Sequence, residues 1–162
     1  MIRVLPFVLY LLLVGLHIVV LENSTAIYTA RINLAAMVVL AVAVYKPELV
    51  ATWFGFAVGL VVAASSPGLV GWHVLWLAGL GLAGYHAREK LNLDSLYARL
   101  ILIVGGVFLH NVLILISSGA VDFWYQLVSV AIPGAIYTAL PAWLFFLVKE
   151  GRITKDKIKA RF

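Results

Sequence analysis

Six long apolar stretches dominate this sequence, and no Asp, Glu, Lys or Arg lies near the middle of any of them. They are Val4–Leu21, Ile32–Tyr45, Leu49–Ala64, Leu69–Tyr85, Tyr97–Ile116 and Trp124–Val148. A helix needs about 20 residues to cross about 30 Å of hydrocarbon, and unpaired backbone groups cannot face lipid. Charged residues make up 12% of the chain, against about 25% in a soluble domain. We therefore predict an all-α integral membrane protein with six transmembrane helices.

Two of the six stretches are short for a membrane span. The second can extend back to Tyr28, or the bilayer can thin around the second and third; a re-entrant pair is the alternative. The first stretch follows Arg3 and lacks a small-x-small cleavage pattern, so we expect a retained helix and not a signal peptide. Turn-forming or polar segments separate the stretches, at Lys46–Glu48, Ser65–Gly68, His86–Ser95 and Ser117–Asp122.

The basic residues predict the orientation. In a six-span topology with a cytoplasmic N-terminus, eleven of the twelve Lys and Arg residues fall on the cytoplasmic side, and Arg31 alone falls outside. Such a bias is typical of cytoplasmic loops. We therefore expect both termini in the cytoplasm.

We interpret residues 1–162 as a single transmembrane domain whose last residues, 149–162, form a basic cytoplasmic tail. Each cation near an anionic membrane surface contributes about 1 kcal/mol of attraction. The tail therefore predicts contact with lipid headgroups or a cytoplasmic partner. A nucleic-acid role is not expected, because no nucleic-acid-binding fold accompanies the charge. The candidate contact residues are Lys149, Arg152, Lys155, Lys157, Lys159 and Arg161.

Two rows of small residues recur at a spacing of four, which places each row on one face of a helix. In lipid, such rows let helix backbones approach closely. The rows predict packing within the chain or contact with another membrane protein, a second copy included. Candidate interface residues are Gly55, Gly59 and Ala63 in the third stretch, and Gly79 and Ala83, continuing Gly71 and Leu75, in the fourth.

Three histidines lie inside the apolar stretches: His17, His73 and His110. They come from three different stretches, have no acidic partner, and show no i, i+4 spacing. We expect them to form interhelical hydrogen bonds; a metal or proton site is the alternative. No nucleophile–base pair, carboxylate pair or phosphate loop is visible, so we expect no enzyme, cofactor or metal ion.

The order of these features resembles the rod shape-determining protein MreD family. The segment Trp53–Leu60 is similar to the family's G-F-x-x-G-L core, and Ser66–His73 to the turn that follows it. The segment Ile136–Pro141 resembles the family's final helix before a basic tail. Two departures stand out: many members have an Asp where Ala63 and Ala64 stand, and many have an Asn near Thr138.

The resemblance implies a function. MreD proteins belong to the cell-wall elongation machinery of rod-shaped bacteria, in the cytoplasmic membrane. They bind MreC, a single-span protein, and work with MreB and with RodA and its transpeptidase partner. The implied role is a non-enzymatic scaffold that holds MreC, with membrane lipids around it.

The family fold is also similar to the substrate-binding subunits of energy-coupling-factor transporters. The alternative function is therefore a small-molecule, vitamin-type binding subunit of a membrane transporter. It requires a pocket with convergent polar groups. The candidates are Asn33, His73, His110, Asn111, Gln126 and Ser129.

Overall fold

The computed structural model describes residues 4–21, 31–91, 93 and 95–149, and every regular element in them is helical. We number six helices. They are α1 (Leu5–Leu16, continued by a π-helical segment, His17–Leu21), α2 (Leu34–Tyr45), α3 (Glu48–Ala63), α4 (Val70–Lys90, after a 3-10 turn, Pro67–Leu69), α5 (Leu96–Ser117) and α6 (Phe123–Lys149).

The six helices coincide with the six apolar stretches, but one boundary was predicted wrongly, and one of the alternatives for the second stretch is not observed. The second stretch does not extend back as a helix towards Tyr28, because residues 31–33 are not helical and α2 begins at Leu34. The polar run from His86 was expected to be a loop, yet α4 continues to Lys90. Its polar side chains lie on the helix surface, where charge does not interrupt a helix.

Within the described residues, three helices are long and apolar enough to cross a membrane: α4 with its preceding turn, α5 and α6. Helices α1, α2 and α3 are apolar but shorter. Large apolar side chains cover the outside of the bundle; Leu12 is 64% exposed and Ile101 72%. Soluble monomers rarely expose so extensive an apolar surface to water. The chain is therefore a membrane protein.

Helix α2 lies at the centre of the bundle, and its residues 35–44 are all buried. The helix consists mostly of Ala and Val, whose short side chains let neighbouring helices approach from every side. Helices α1, α3, α4, α5 and α6 all contact it. An enclosed helix can end inside the protein, so its short length is not set by the thickness of the bilayer.

The closest interhelical contact joins α3 and α4 through glycines. A Cβ atom added at Gly55 would lie 2.3 Å from the Leu77 carbonyl oxygen, and one at Gly59 would lie 2.6 Å from the Val74 Cα. In the reverse direction, a Cβ at Gly81 would lie 2.4 Å from the Ala51 carbonyl oxygen. The two backbones are thus in direct contact, as the small-residue row in α3 predicts.

Cationic side chains gather around the C-terminal end of α2. The Arg88 guanidinium donates to the carbonyls of Val44 (3.0 Å) and Lys46 (3.3 Å), which the end of the helix leaves unpaired. The Lys149 ammonium lies 5.5 Å from the centre of the Tyr45 ring. The Arg99 guanidinium lies 6.0 Å from the same ring.

The last helix contains an irregular segment in its N-terminal third. A π-helical turn, Leu127–Ala131, precedes the Ile132-Pro133-Gly134 sequence. Proline removes one helical hydrogen bond, and π turns are common beside functional sites. The second proline, Pro141, lies inside the regular part of the helix and does not interrupt it.

Candidate functional site

The N-terminus of α2 is held by one side chain, Asn33. Its Oδ1 atom accepts a hydrogen bond from the Ala36 N–H (3.0 Å), which caps the helix. Its Nδ2 atom donates to Asn111 Oδ1 (2.7 Å) and lies 3.0 Å from His110 Nδ1. One amide therefore caps α2 through one hydrogen bond and joins it to α5 through two more.

The same end of α2 also docks on α6. The Asn33 N–H donates to Thr138 Oγ1 (3.0 Å), and that hydroxyl donates to the Gly134 carbonyl (2.6 Å). A Cβ atom at Gly134 would lie 3.0 Å from the Arg31 carbonyl oxygen, so glycine allows this close approach. Asn111 Nδ2 donates to the Ala131 carbonyl in the π-helical turn (3.3 Å). Asn33, Asn111 and Thr138 therefore form a polar cluster at the irregular part of α6.

All three intramembrane histidines lie at this end of the bundle. His17 Nε2 is 3.1 Å from the carbonyl oxygen of Ile32. This contact joins the end of α1 to the non-helical segment before α2, whereas a contact between helices was expected. The rings of His73 and His110 lie 6.5 Å apart, centre to centre, with an angle of 35° between their planes. Within the described residues, no three His, Cys, Asp or Glu side chains are grouped closely enough to hold a metal ion.

These residues surround a cavity of about 270 Å³ above the N-terminus of α2. Its walls are mainly apolar, and no carboxylate belongs to the described residues that line it. A space of this size lies near the lower limit of small-molecule sites, which are apolar pockets with a few convergent polar groups. The polar lining residues are His17, Arg31, Asn33, Ser65, Ser66, His73, His110 and Asn111.

Four of the six predicted pocket residues meet at this cavity: Asn33, His73, His110 and Asn111. Gln126 and Ser129 are not among its lining residues; the Ser129 hydroxyl donates to the carbonyl one turn earlier in α6 (2.6 Å). The structural role of Thr138 was not predicted. The sequence signal for it is a hydroxyl residue four positions after a glycine, in a stretch that contains two prolines.

The two small-residue rows have different environments. In α3, Gly55, Gly59 and Ala63 are buried, and the two glycines contact α4. In α4, Gly79 and Ala83 are exposed, and a Cβ atom at Gly79 would meet no atom within 4 Å. The α3 row therefore packs inside the chain, whereas the α4 row faces outwards.

Of the predicted tail contacts, Lys149 ends α6 and is exposed. The remaining five lie outside the described residues: Arg152, Lys155, Lys157, Lys159 and Arg161. No family model, curated protein or solved structure matches the chain.

Proposed function

We propose that this chain is a non-enzymatic membrane scaffold that holds a single-span partner by helix packing. The observation that carries this proposal is the outward face of α4, where Gly71, Gly79 and Ala83 are exposed. Lipid gives helices no hydrophobic drive to associate, so close backbone approach at small residues is a main source of attraction. The opposite face of α4 already makes such a contact with α3.

We further propose six membrane spans with both termini in the cytoplasm. The cations around the end of α2 support this orientation, because Lys46, Arg88 and Arg99 belong to separate segments yet lie at one end of the bundle. Arg31 lies at the other end, beside the polar cavity. Cytoplasmic loops carry the excess of basic residues.

On the basis of the resemblance to MreD, we propose that the partner is MreC, a single-span protein. Both proteins would lie in the cytoplasmic membrane of a bacterium. MreB, RodA and its transpeptidase partner would join through that complex. A second copy of this chain is the other occupant that the α4 face could accept.

The test is recovery of the chain from its own membrane, followed by identification of what accompanies it. We expect a single-span protein with a large extracytoplasmic domain. Gly79→Leu should remove that partner without unfolding the chain, because a Cβ atom at this exposed position meets no other atom within 4 Å. Gly105→Leu is the matched control, since Gly105 is exposed on α5 and is equally free of neighbours.

A second candidate function is the substrate-binding subunit of a transporter. The convergence of Asn33, His73, His110 and Asn111 on one cavity favours it. A carrier should be recovered with an energy-coupling ATPase, and a scaffold should not. Recovery with such an ATPase and with no wall-synthesis protein would overturn the scaffold.

A further inference from the structure

Two buried histidine nitrogens have no hydrogen-bond partner in the part of the chain that the structure describes: His73 Nδ1 and His110 Nε2. The two residues are 8% and 4% exposed, and both line the polar cavity. Buried polar groups in native proteins are nearly always paired. Two unpaired groups on residues that line one cavity therefore indicate a partner that the described residues do not supply.

The hydrogen bonds of Asn33 determine the chemistry of one of these nitrogens. The Ala36 N–H can only donate, so the atom it meets is the amide oxygen, Oδ1. The other amide atom, Nδ2, can only donate, so His110 Nδ1 must accept from it. An imidazole whose Nδ1 accepts has its proton on Nε2. The unpaired His110 nitrogen is therefore a donor, and it requires an acceptor.

The rest of the cavity also favours an acceptor. The N-terminus of α2 adjoins it through Asn33 and Leu34 and adds partial positive charge. Arg31 lines it, and no described carboxylate does. Apolar side chains such as Val62 and Ile114 form most of the remaining wall, and these suit a hydrocarbon body more than a hydrated ion.

We infer that this cavity binds a small organic molecule with an apolar body and an sp² oxygen, carboxylate or carbonyl, that accepts from His110 Nε2. His73 lies beside the same oxygen and forms the second polar contact. The inference does not rest on the scaffold assignment, because either a scaffold or a carrier can hold such a ligand. Failure of ligand binding would leave a recovered single-span partner unaffected, so the two proposals fail separately.

The experiment titrates the full-length protein, labelled with ¹⁵N-histidine and reconstituted in lipid nanodiscs, with four probes of similar size. They are benzoate, benzamide, toluene and benzylamine. We expect benzoate, benzamide or both to shift the ring ¹⁵N signals of His73 and His110 saturably. Toluene lacks the acceptor and benzylamine carries a cation, so both should bind at least ten-fold more weakly. The ring signals of His86 should not shift, because this residue is exposed near the C-terminal end of α4 and does not line the cavity.

Variants connect the signal to the cavity. His73→Phe keeps a ring and removes both ring nitrogens. The buried one, Nδ1, bonds nothing in the described chain, so the variant should fold normally. It should weaken binding of the oxygen-bearing probe at least ten-fold, and His86→Phe should leave it unchanged. Binding by benzoate alone would assign a carboxylate, and binding by both probes a carbonyl oxygen. Equal binding of toluene, no shift with either oxygen-bearing probe, or full affinity in a folded His73→Phe protein would each overturn the site.

Discussion

Asn33 connects more of the molecule than any other residue at the polar end. Its side chain caps α2 and bonds two side chains of α5, and its backbone N–H bonds α6. These groups lie in a low-dielectric interior, where an unpaired polar atom costs about 1–3 kcal/mol. The side chain therefore stabilises the bundle chiefly by keeping its neighbours satisfied.

We expect Asn33→Ala to lower the free energy of unfolding by about 3 kcal/mol, because a lost cap costs about 1 kcal/mol and His110 and Asn111 lose their partner. Ser95→Ala is the matched control. Ser95 caps α5 in the same way, with a 3.0 Å bond to the Ala98 N–H, but it is exposed and joins no network. Ser95→Ala should lower the free energy of unfolding by only about 1 kcal/mol. Unfolding in lipid or mild detergent measures both, and equal losses would contradict the network.

At the scale of helices, the contact between α3 and α4 depends on the absence of side chains. Gly55 and Gly59 on α3 and Gly81 on α4 place backbone against backbone. Backbone cannot move aside as a flexible side chain can, so a larger residue at these positions must separate the helices.

We therefore predict that Gly59→Leu lowers stability by at least about 3 kcal/mol, since overpacking costs about 1–3 kcal/mol even where neighbours can adjust. Gly79→Leu, on the outward face of α4, should leave stability unchanged. The yield of folded protein and its thermal midpoint distinguish the two. A Gly59→Leu protein as stable as the wild type would show that the two helices do not pack as described.

The other end of α2 is capped from a different helix. Arg88 of α4 donates to carbonyls at the C-terminus of α2, at 3.0 and 3.3 Å. Helix ends leave four carbonyls without a helical partner, and the Arg88 guanidinium supplies a charged donor to this end of α2.

Arg88→Ala should accordingly destabilise the protein by about 2 kcal/mol, the range measured for hydrogen bonds to charged groups. Arg88→Lys should recover part of the loss, because it keeps the charge but not the planar donor geometry. Lys90→Ala, two residues on and exposed, is the control and should have little effect. The same unfolding measurement applies, and a neutral Arg88→Ala variant would contradict the capping role.

In the whole molecule, the two ends of α2 have different chemical surroundings. Polar groups and a cavity lie above its N-terminus, and cations and aromatic rings surround its C-terminus. Five helices enclose the space between them. The cavity would then open towards the extracytoplasmic side in the proposed orientation.

We predict that reporters fused after residue 162 and inserted in the loop Ser117–Asp122 lie on opposite sides of the membrane, the first in the cytoplasm. The reason is the distribution of basic residues. An alkaline phosphatase and a green fluorescent protein fusion at each site provide the paired readout. A C-terminus outside the cytoplasm would remove the six-span topology.

The sequence by itself determined the helices of this protein. Apolar runs and polar breaks are local, so they predicted six helices within a few residues of their observed positions, with the error largest where polar residues extend α4. The sequence also identified the polar residues, but it did not predict which of them lie close together. Whether His73 on α4 and His110 on α5 share a cavity depends on how each helix is rotated about its own axis. That rotation is decided by contacts between distant segments, such as the glycine approach of α3 to α4 and the docking of Asn33 on Thr138. Only the tertiary structure therefore shows that the three histidines line one cavity. It also shows that the small-residue row of α3 faces inwards and that of α4 faces outwards.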